Sequence, residues 1–302
     1  MILVACPGQG SQTPGFLEAW IESDDNRTYL EKLSDAAGVD LITHGSVSDA
    51  DTIKDTAVAQ PLIVAASLLS WRSLSAQADT SAVSVAGHSV GEFAAAAIAG
   101  VISDVEAMQL VAVRGQAMAA AAALEETGMA AVVGGEEAEV VAAIASAGLT
   151  PANMNGAGQI VAAGAKQELQ AFVQNPPAGT RVIPLQVAGA FHTQFMTPAV
   201  ETLQARVASI APAKPALPLY SNNDGSKVSD GARFTELLVS QVSNPVRWDA
   251  CMNSFLRDGI SGFIELLPGG ALTGIAKRAM KGVPAVAIKS PEDIGSAAEL
   301  IG

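Results

Sequence analysis

Cysteine, histidine and basic residues are scarce in this sequence of 302 residues, and each shortage narrows the possible functions. The two cysteines, Cys6 and Cys251, offer neither a metal-ligand spacing nor a disulfide framework. No metal is expected, and a reducing cytoplasm is the simplest setting. Lys and Arg number 17 against 30 Asp and Glu, a net charge of −13 that argues against nonspecific nucleic-acid binding. Charged residues make up only 16% and hydrophobic ones 49%, a balance suited to a soluble chain with a large core. The opening MILVACPG has an apolar run but no basic stretch before it, so it does not read as a signal peptide. Residues 107–124 carry one charge, Arg114, and their alanine and glycine content favours a buried helix over a membrane span. A cytoplasmic protein with no membrane partner is expected.

Glycine turns organise what is present. Apolar runs at Ile2–Cys6, Ala82–Ala86 and Gly262–Leu266 lead into PGQGSQ, GHSVGE and LPGGALTG, each followed by a helical pattern. Short continuous apolar strands alternating with helices predict an α/β fold with a mostly parallel sheet covered on both faces. Ligands of such sheets bind beyond the carboxyl ends of the strands, where all three glycine turns would lie. The middle of the chain differs. Strands at Met129–Val133, Ala152–Asn155, Ile160–Ala163 and Val182–Leu185, with helices at Glu136–Ala147 and Ala165–Gln174, give the β-α-β-β-α-β order of a ferredoxin-like unit. At this length one large domain with a smaller insertion is expected. We therefore place a small ferredoxin-like subdomain at 124–188 inside a discontinuous, α/β-hydrolase-like domain formed by 1–123 and 189–302.

GHSVG at 87–91 closes an apolar strand and opens a helix running to about Ala99. A sharp strand-to-helix turn of this form exposes its serine, here Ser89, at the N-terminus of the helix, where negative charge is favoured. The alternative is a tight turn with an idle hydroxyl. A serine nucleophile needs a base, and there are 3 histidines. His88 adjoins Ser89, where neighbouring side chains point apart, and His44 sits in a turn-like LITHGS segment. His192 remains by elimination. Residues 105–191 contain no aspartate, and the glutamates there cluster at solvated helix faces. The expectation is therefore a Ser–His dyad whose histidine is oriented by something other than a carboxylate, such as a backbone carbonyl.

Arg114 lies in a helix apolar nearly all round, on one face with Leu110, Ala117 and Ala121. A buried guanidinium left unpaired costs several kcal/mol. Its partner is either a distant carboxylate in a structural ion pair or the carboxylate of a substrate, held bidentately. PGQGSQ is neither a G-x-G-x-x-G nor a P-loop, so a nucleotide site is disfavoured. Its amides could form half of an oxyanion hole, with the amide of Val90 as the other half.

The ordered set of segments resembles the malonyl-CoA:acyl carrier protein transacylase family, including the acyltransferase domains of fatty acid and polyketide synthases. The matching pieces are PGQGSQ at 7–12, AQPLI at 59–63, GHSVGE at 87–92, R-G-x-x-M at 114–118 and NGAGQIV at 155–161. GAFH at 189–192, QVSNPVRW at 241–248 and ELLPGGALTGIAKR at 265–278 complete a set that covers nearly the whole chain. The resemblance implies that Ser89 carries the acyl ester and His192 is general base and acid. It further implies that Gln9 and Val90 supply oxyanion-hole amides, Arg114 clamps the malonyl carboxylate, and Gln241 orients His192 through its carbonyl. Met118, Asn155 and Phe191 would line the pocket, with Val90 and Phe191 resembling the malonyl-selecting form. Ala157 departs from the pattern, which has proline there. The implied partners are malonyl-CoA and acyl carrier protein, with no cofactor, and a monomer is expected. An acidic carrier protein would need local basic residues, for which Arg181, Lys277, Arg278 and Lys281 are available. Two other readings stand beside it: a serine esterase or thioesterase of the same architecture, and a non-catalytic module that binds acyl groups or carrier protein.

Overall fold

The computed structural model describes residues 1–302. Its ten strands are β1 (Ile2–Cys6), β2 (Ser84–Gly87), β3 (Thr127–Gly134), β4 (Thr150–Gly156), β5 (Gln159–Ala165), β6 (Thr180–Pro184), β7 (Leu219–Tyr220), β8 (Val246–Arg247), β9 (Gly262–Glu265) and β10 (Ala285–Ala287). They form two five-stranded sheets, ordered β10-β9-β1-β2-β7 and β6-β3-β5-β4-β8. All pairings in the first sheet are parallel. The fold is α/β, as the alternation of apolar strands and helices implied.

β1 shows why its run is continuously apolar. Val4 and Cys6 face one core cluster, and Leu3 and Ala5 face another across the sheet. A strand covered on both faces has no position left for a polar side chain. Because the strands run the same way, the loops after β1, β2 and β9 share one edge of the sheet. Ligands of parallel sheets bind at such an edge.

In the second sheet β3, β4, β5 and β6 pair antiparallel in the order β6-β3-β5-β4. β8 extends it, parallel to β4 with Asn153 opposite Val246. The sheet thus takes its fifth strand from beyond residue 189, where two residues carry no alternation by which to read them. Alternation in the other strands is plain. Ala130, Val132, Met154, Ile160 and Ala162 pack with Leu169 and Phe172 of the covering helix Lys166–Gln174. The residues between them face the other way, toward the first sheet's loops.

Two helices fix that region. Thr56–Ser75 is long and apolar enough to cross a bilayer, but most of it is buried inside the protein. Asp104–Ala122 crosses it at Gly115, where a Cβ would lie 2.9 Å from the Thr56 carbonyl oxygen. LITHGS, expected as a turn, is the short helix Leu41–Ser46, because Asp40 accepts from the Thr43 amide and caps it.

Candidate active site

β2 ends in GHSVG and the helix Gly91–Ile98 begins at once. The two glycines are required by space. A Cβ on Gly87 would lie 2.1 Å from the carbonyl carbon of Gly91, and one on Gly91 2.2 Å from the Cys6 carbonyl oxygen. Ser89 between them has φ +52°, and His192 has φ +62°. Only one other non-glycine residue, Ala157, has left-handed backbone. Such conformations cost of order 1 kcal/mol or more each and persist only where their surroundings impose them. For Ser89 the surroundings include Asn222. Its Oδ1 accepts from the Ser89 amide at 2.8 Å, and its Nδ2 donates to the Gly87 carbonyl at 2.7 Å.

Ser89 Oγ lies 2.7 Å from His192 Nε2, and His192 Nδ1 lies 2.8 Å from the Gln241 carbonyl. A carbonyl can only accept, so Nδ1 carries the proton and Nε2 presents a lone pair to the hydroxyl. Burial, reinforced by the nearby Arg114 cation, pulls His192 down to about 3, which keeps the ring neutral, with its Nε2 lone pair free, at ordinary pH. His88 turns away and donates from Nε2 to Asn155 Oδ1 at 2.9 Å. The His44 ring pairs with the Ser48 hydroxyl, outside the site.

Arg114 is 1% exposed and forms no ion pair. Instead Nη1 donates to Gln60 Oε1 at 2.7 Å and Nη2 to Gln241 Oε1 at 2.9 Å. Nη2 also lies 3.3 Å from Ser89 Oγ, and Nε has no partner. Burial lowers Arg114 to about 9, so it remains a cation at neutral pH. R-G-x-x-M now has a physical reading: Gly115 lets the two long helices meet, and both Arg114 and Met118 reach Gln60, whose Nε2 is 3.6 Å from Met118 Sδ.

These groups open onto a cavity of about 470 Å³. Gln9, Ser89, Arg114, Met118, Asn155, Phe191 and His192 all line it, while Val90 and Gln241 stand behind the wall. The amides of Gln9 and Val90 donate to no protein group. Glu265, fully buried, accepts from the amides of Gly270, Leu272 and Thr273 and so holds the third glycine turn against the cavity. The opposite wall is the second sheet, through Met129 and Ala131, Asn153 and Asn155, and Gln159 and Val161. Ala157 sits in the β4–β5 turn at φ +50°, which proline, locked near −65°, cannot adopt. The departure from the family pattern there leaves Asn155 on the cavity. Of the basic residues considered for docking, Arg181 lies on β6, and Lys277, Arg278 and Lys281 lie on and just after the helix Ala271–Ala279.

The sequence reading missed Gln60, Asn222 and Glu92 as parts of the site. Glu92 is 1% exposed and accepts from the Asn222 amide at 2.7 Å and from Gln241 Nε2. Burial raises it to about 7. It is the only charge in the apolar helix Gly91–Ile98, the same signal that marked Arg114.

A nucleophile, a neutral base and unengaged amides suit acyl transfer. The acyl transferase domain family matches residues 4–301. The chain belongs to that family. Malonyl CoA-acyl carrier protein transacylase from Mycobacterium tuberculosis is 48% identical over 302 residues, 99% of this chain and 100% of that protein. The crystal structure of MCAT from the same organism superposes with a TM-score of 0.96 at 48% identity, covering 100% of both chains. A malonyl-transacylase in complex with its type II PKS acyl-carrier protein gives 0.93 at 28% identity, covering 99% of each chain. Within the acyl transferase family, this chain is therefore similar over its whole length to enzymes that move malonyl groups.

Proposed function

We propose that this protein transfers a malonyl group from malonyl-CoA to the phosphopantetheine thiol of acyl carrier protein through an ester on Ser89. One observation carries the choice of acyl group. Arg114 is a buried cation without a carboxylate of its own, beside the Ser89 hydroxyl. A substrate carboxylate supplies the missing partner.

The chemistry follows from the dyad. His192 Nε2 takes the Ser89 proton as Oγ attacks the thioester carbonyl, and the amides of Gln9 and Val90 receive the developing oxyanion. Coenzyme A leaves as a thiol, protonated by His192. The carrier thiol then attacks the ester, giving its proton to His192, and Ser89 regains its hydroxyl: a ping-pong sequence. No cofactor enters these steps.

Incubation with malonyl-CoA followed by intact-mass measurement tests the scheme. A malonyl adduct is expected on the native protein and none on Ser89→Ala, whose transfer rate should fall on the order of 10⁴-fold or more. An adduct that persists in Ser89→Ala excludes the nucleophile. Adduct loss as free malonate even with a thiol acceptor present would identify a thioesterase.

A further inference from the structure

Above pH 7, where Glu92 is ionised, Gln241 sits between a buried anion and a buried cation. Its Nε2 donates to Glu92 Oε2 and, at 3.1 Å, to the Ser89 carbonyl, while its Oε1 accepts from Arg114. The two ends of an amide are chemically opposite. Were the amide turned over, its NH₂ would face the guanidinium and its oxygen the carboxylate, two repulsions in a dry site. Glu92 prevents this because it accepts at both oxygens, one fixed on the main-chain amide of Asn222 and the other on Gln241.

We infer that Glu92 is a positioning residue for acyl selection: it sets the direction of the Gln241 amide, which holds Arg114 toward the acyl cavity while keeping the counter-charge one residue away from the guanidinium. The inference rests on the reading of Arg114 as the malonyl clamp. A carboxylate in direct contact with Arg114 would occupy the donors that a malonyl group needs. A cation with no anion nearby would be costly to bury. An amide spacer satisfies both conditions, balancing the charge without closing the binding edge. Because Asn222 also holds the Ser89 amide, the same carboxylate touches the supports of both nucleophile and clamp.

Glu92→Gln tests the orientation. A glutamine has one accepting end, and the Asn222 amide, fixed in the main chain, takes it. Its NH₂ then opposes that of Gln241, so the amide is pushed away from residue 92, by turning against Arg114 or by shifting off the Ser89 carbonyl, and its hold on the guanidinium is lost either way. With a small thiol as acceptor, the ratio of kcat/KM for malonyl-CoA to that for acetyl-CoA should fall about ten-fold or more, mainly through KM for malonyl-CoA. A merely structural role would lower both substrates together. An unchanged ratio overturns the inference.

Glu92→Gln combined with Gln241→Glu conserves volume and net charge, so it guards against a single variant that does not fold, while moving the anion into contact with Arg114. It should keep the ratio low. Recovery of the native ratio would mean that Glu92 only balances charge, and would overturn the positioning role. Arg114→Ala separates the two levels. If it leaves the ratio unchanged, the clamp reading fails; if it lowers the ratio while both Glu92 variants do not, only the inference fails.

Discussion

Around the cavity, Ser89 and the loop residues that converge on it are held by close backbone packing and long-range hydrogen bonds, whereas the residues from the second sheet simply alternate out of antiparallel strands. On the first side stand left-handed Ser89 and His192, glycines that cannot carry a Cβ, and amide side chains that reach across the chain, Gln241 to the buried Arg114 and Asn222 to the Gly87 carbonyl. On the second, Met129, Ala131, Asn153, Asn155, Gln159 and Val161 occupy every other position of β3, β4 and β5. The difference follows from what each side must do. Proton transfer and charge stabilisation demand distances held to a few tenths of an ångström, while a wall needs only shape and polarity. The division is sharp enough to test by substitution.

Among changes that leave Ser89 and His192 in place, Arg114→Ala should give the largest effect, lowering malonyl transfer about 100-fold because a buried charge contact to substrate is lost, while acetyl transfer gains in relative terms. Steady-state kinetics with both thioesters will show it; equal losses would assign Arg114 to support alone. Asn222→Ala removes two hydrogen bonds that fix the elbow, and a fall of about 10-fold in kcat is expected with little change in KM. An unaltered kcat would mean that the glycine contacts suffice to hold Ser89.

The third comparison uses pH. His192 has a folded pKa of about 3, below the ordinary 6.5. As pH falls below 6.5 the unfolded chain binds a proton that the native site refuses, so His192 costs stability in acid and costs nothing above that range. His192→Ala should therefore gain on the native protein by about 2 kcal/mol between pH 8 and pH 5, read from denaturant melts. Glu92 contributes with the opposite sign, but equally to both proteins, and drops out of the difference. A gap independent of pH would show an ordinary histidine. On the second sheet, Val161→Ala should change kcat for malonyl transfer by less than about 3-fold and leave the acid stability profile as it is. A larger loss would make that wall part of the catalytic frame and erase the contrast.

The contrast also governs what could be read from sequence. β3 and β5, like β1 and β2, were legible as short apolar runs between turns, because a strand buried on both faces is continuously apolar. Ser89, His192 and Arg114 stood out as the elbow serine, the remaining histidine and a lone charge in an apolar helix. Asn222 lies 133 residues from the amide that it holds, and nothing in its neighbours SNND announces that contact. Gln60 was hidden inside AQPLI for the same reason, because an uncharged amide in an apolar helix gives no electrostatic signal. Glu92 did give one, but stood beside the serine and was taken into the start of its helix. The two-residue β8 is too short for any periodicity.

The left-handed backbone at Ser89 and His192 sets stability against chemistry. Glycine would occupy either position without strain and without a nucleophile or base, gaining of order 1 kcal/mol before losses of contact are counted. With Ser89 and His192 in the roles proposed, a library of variants selected only for thermal resistance would be expected to replace both early, and one selected only for turnover to preserve them against a standing folding cost.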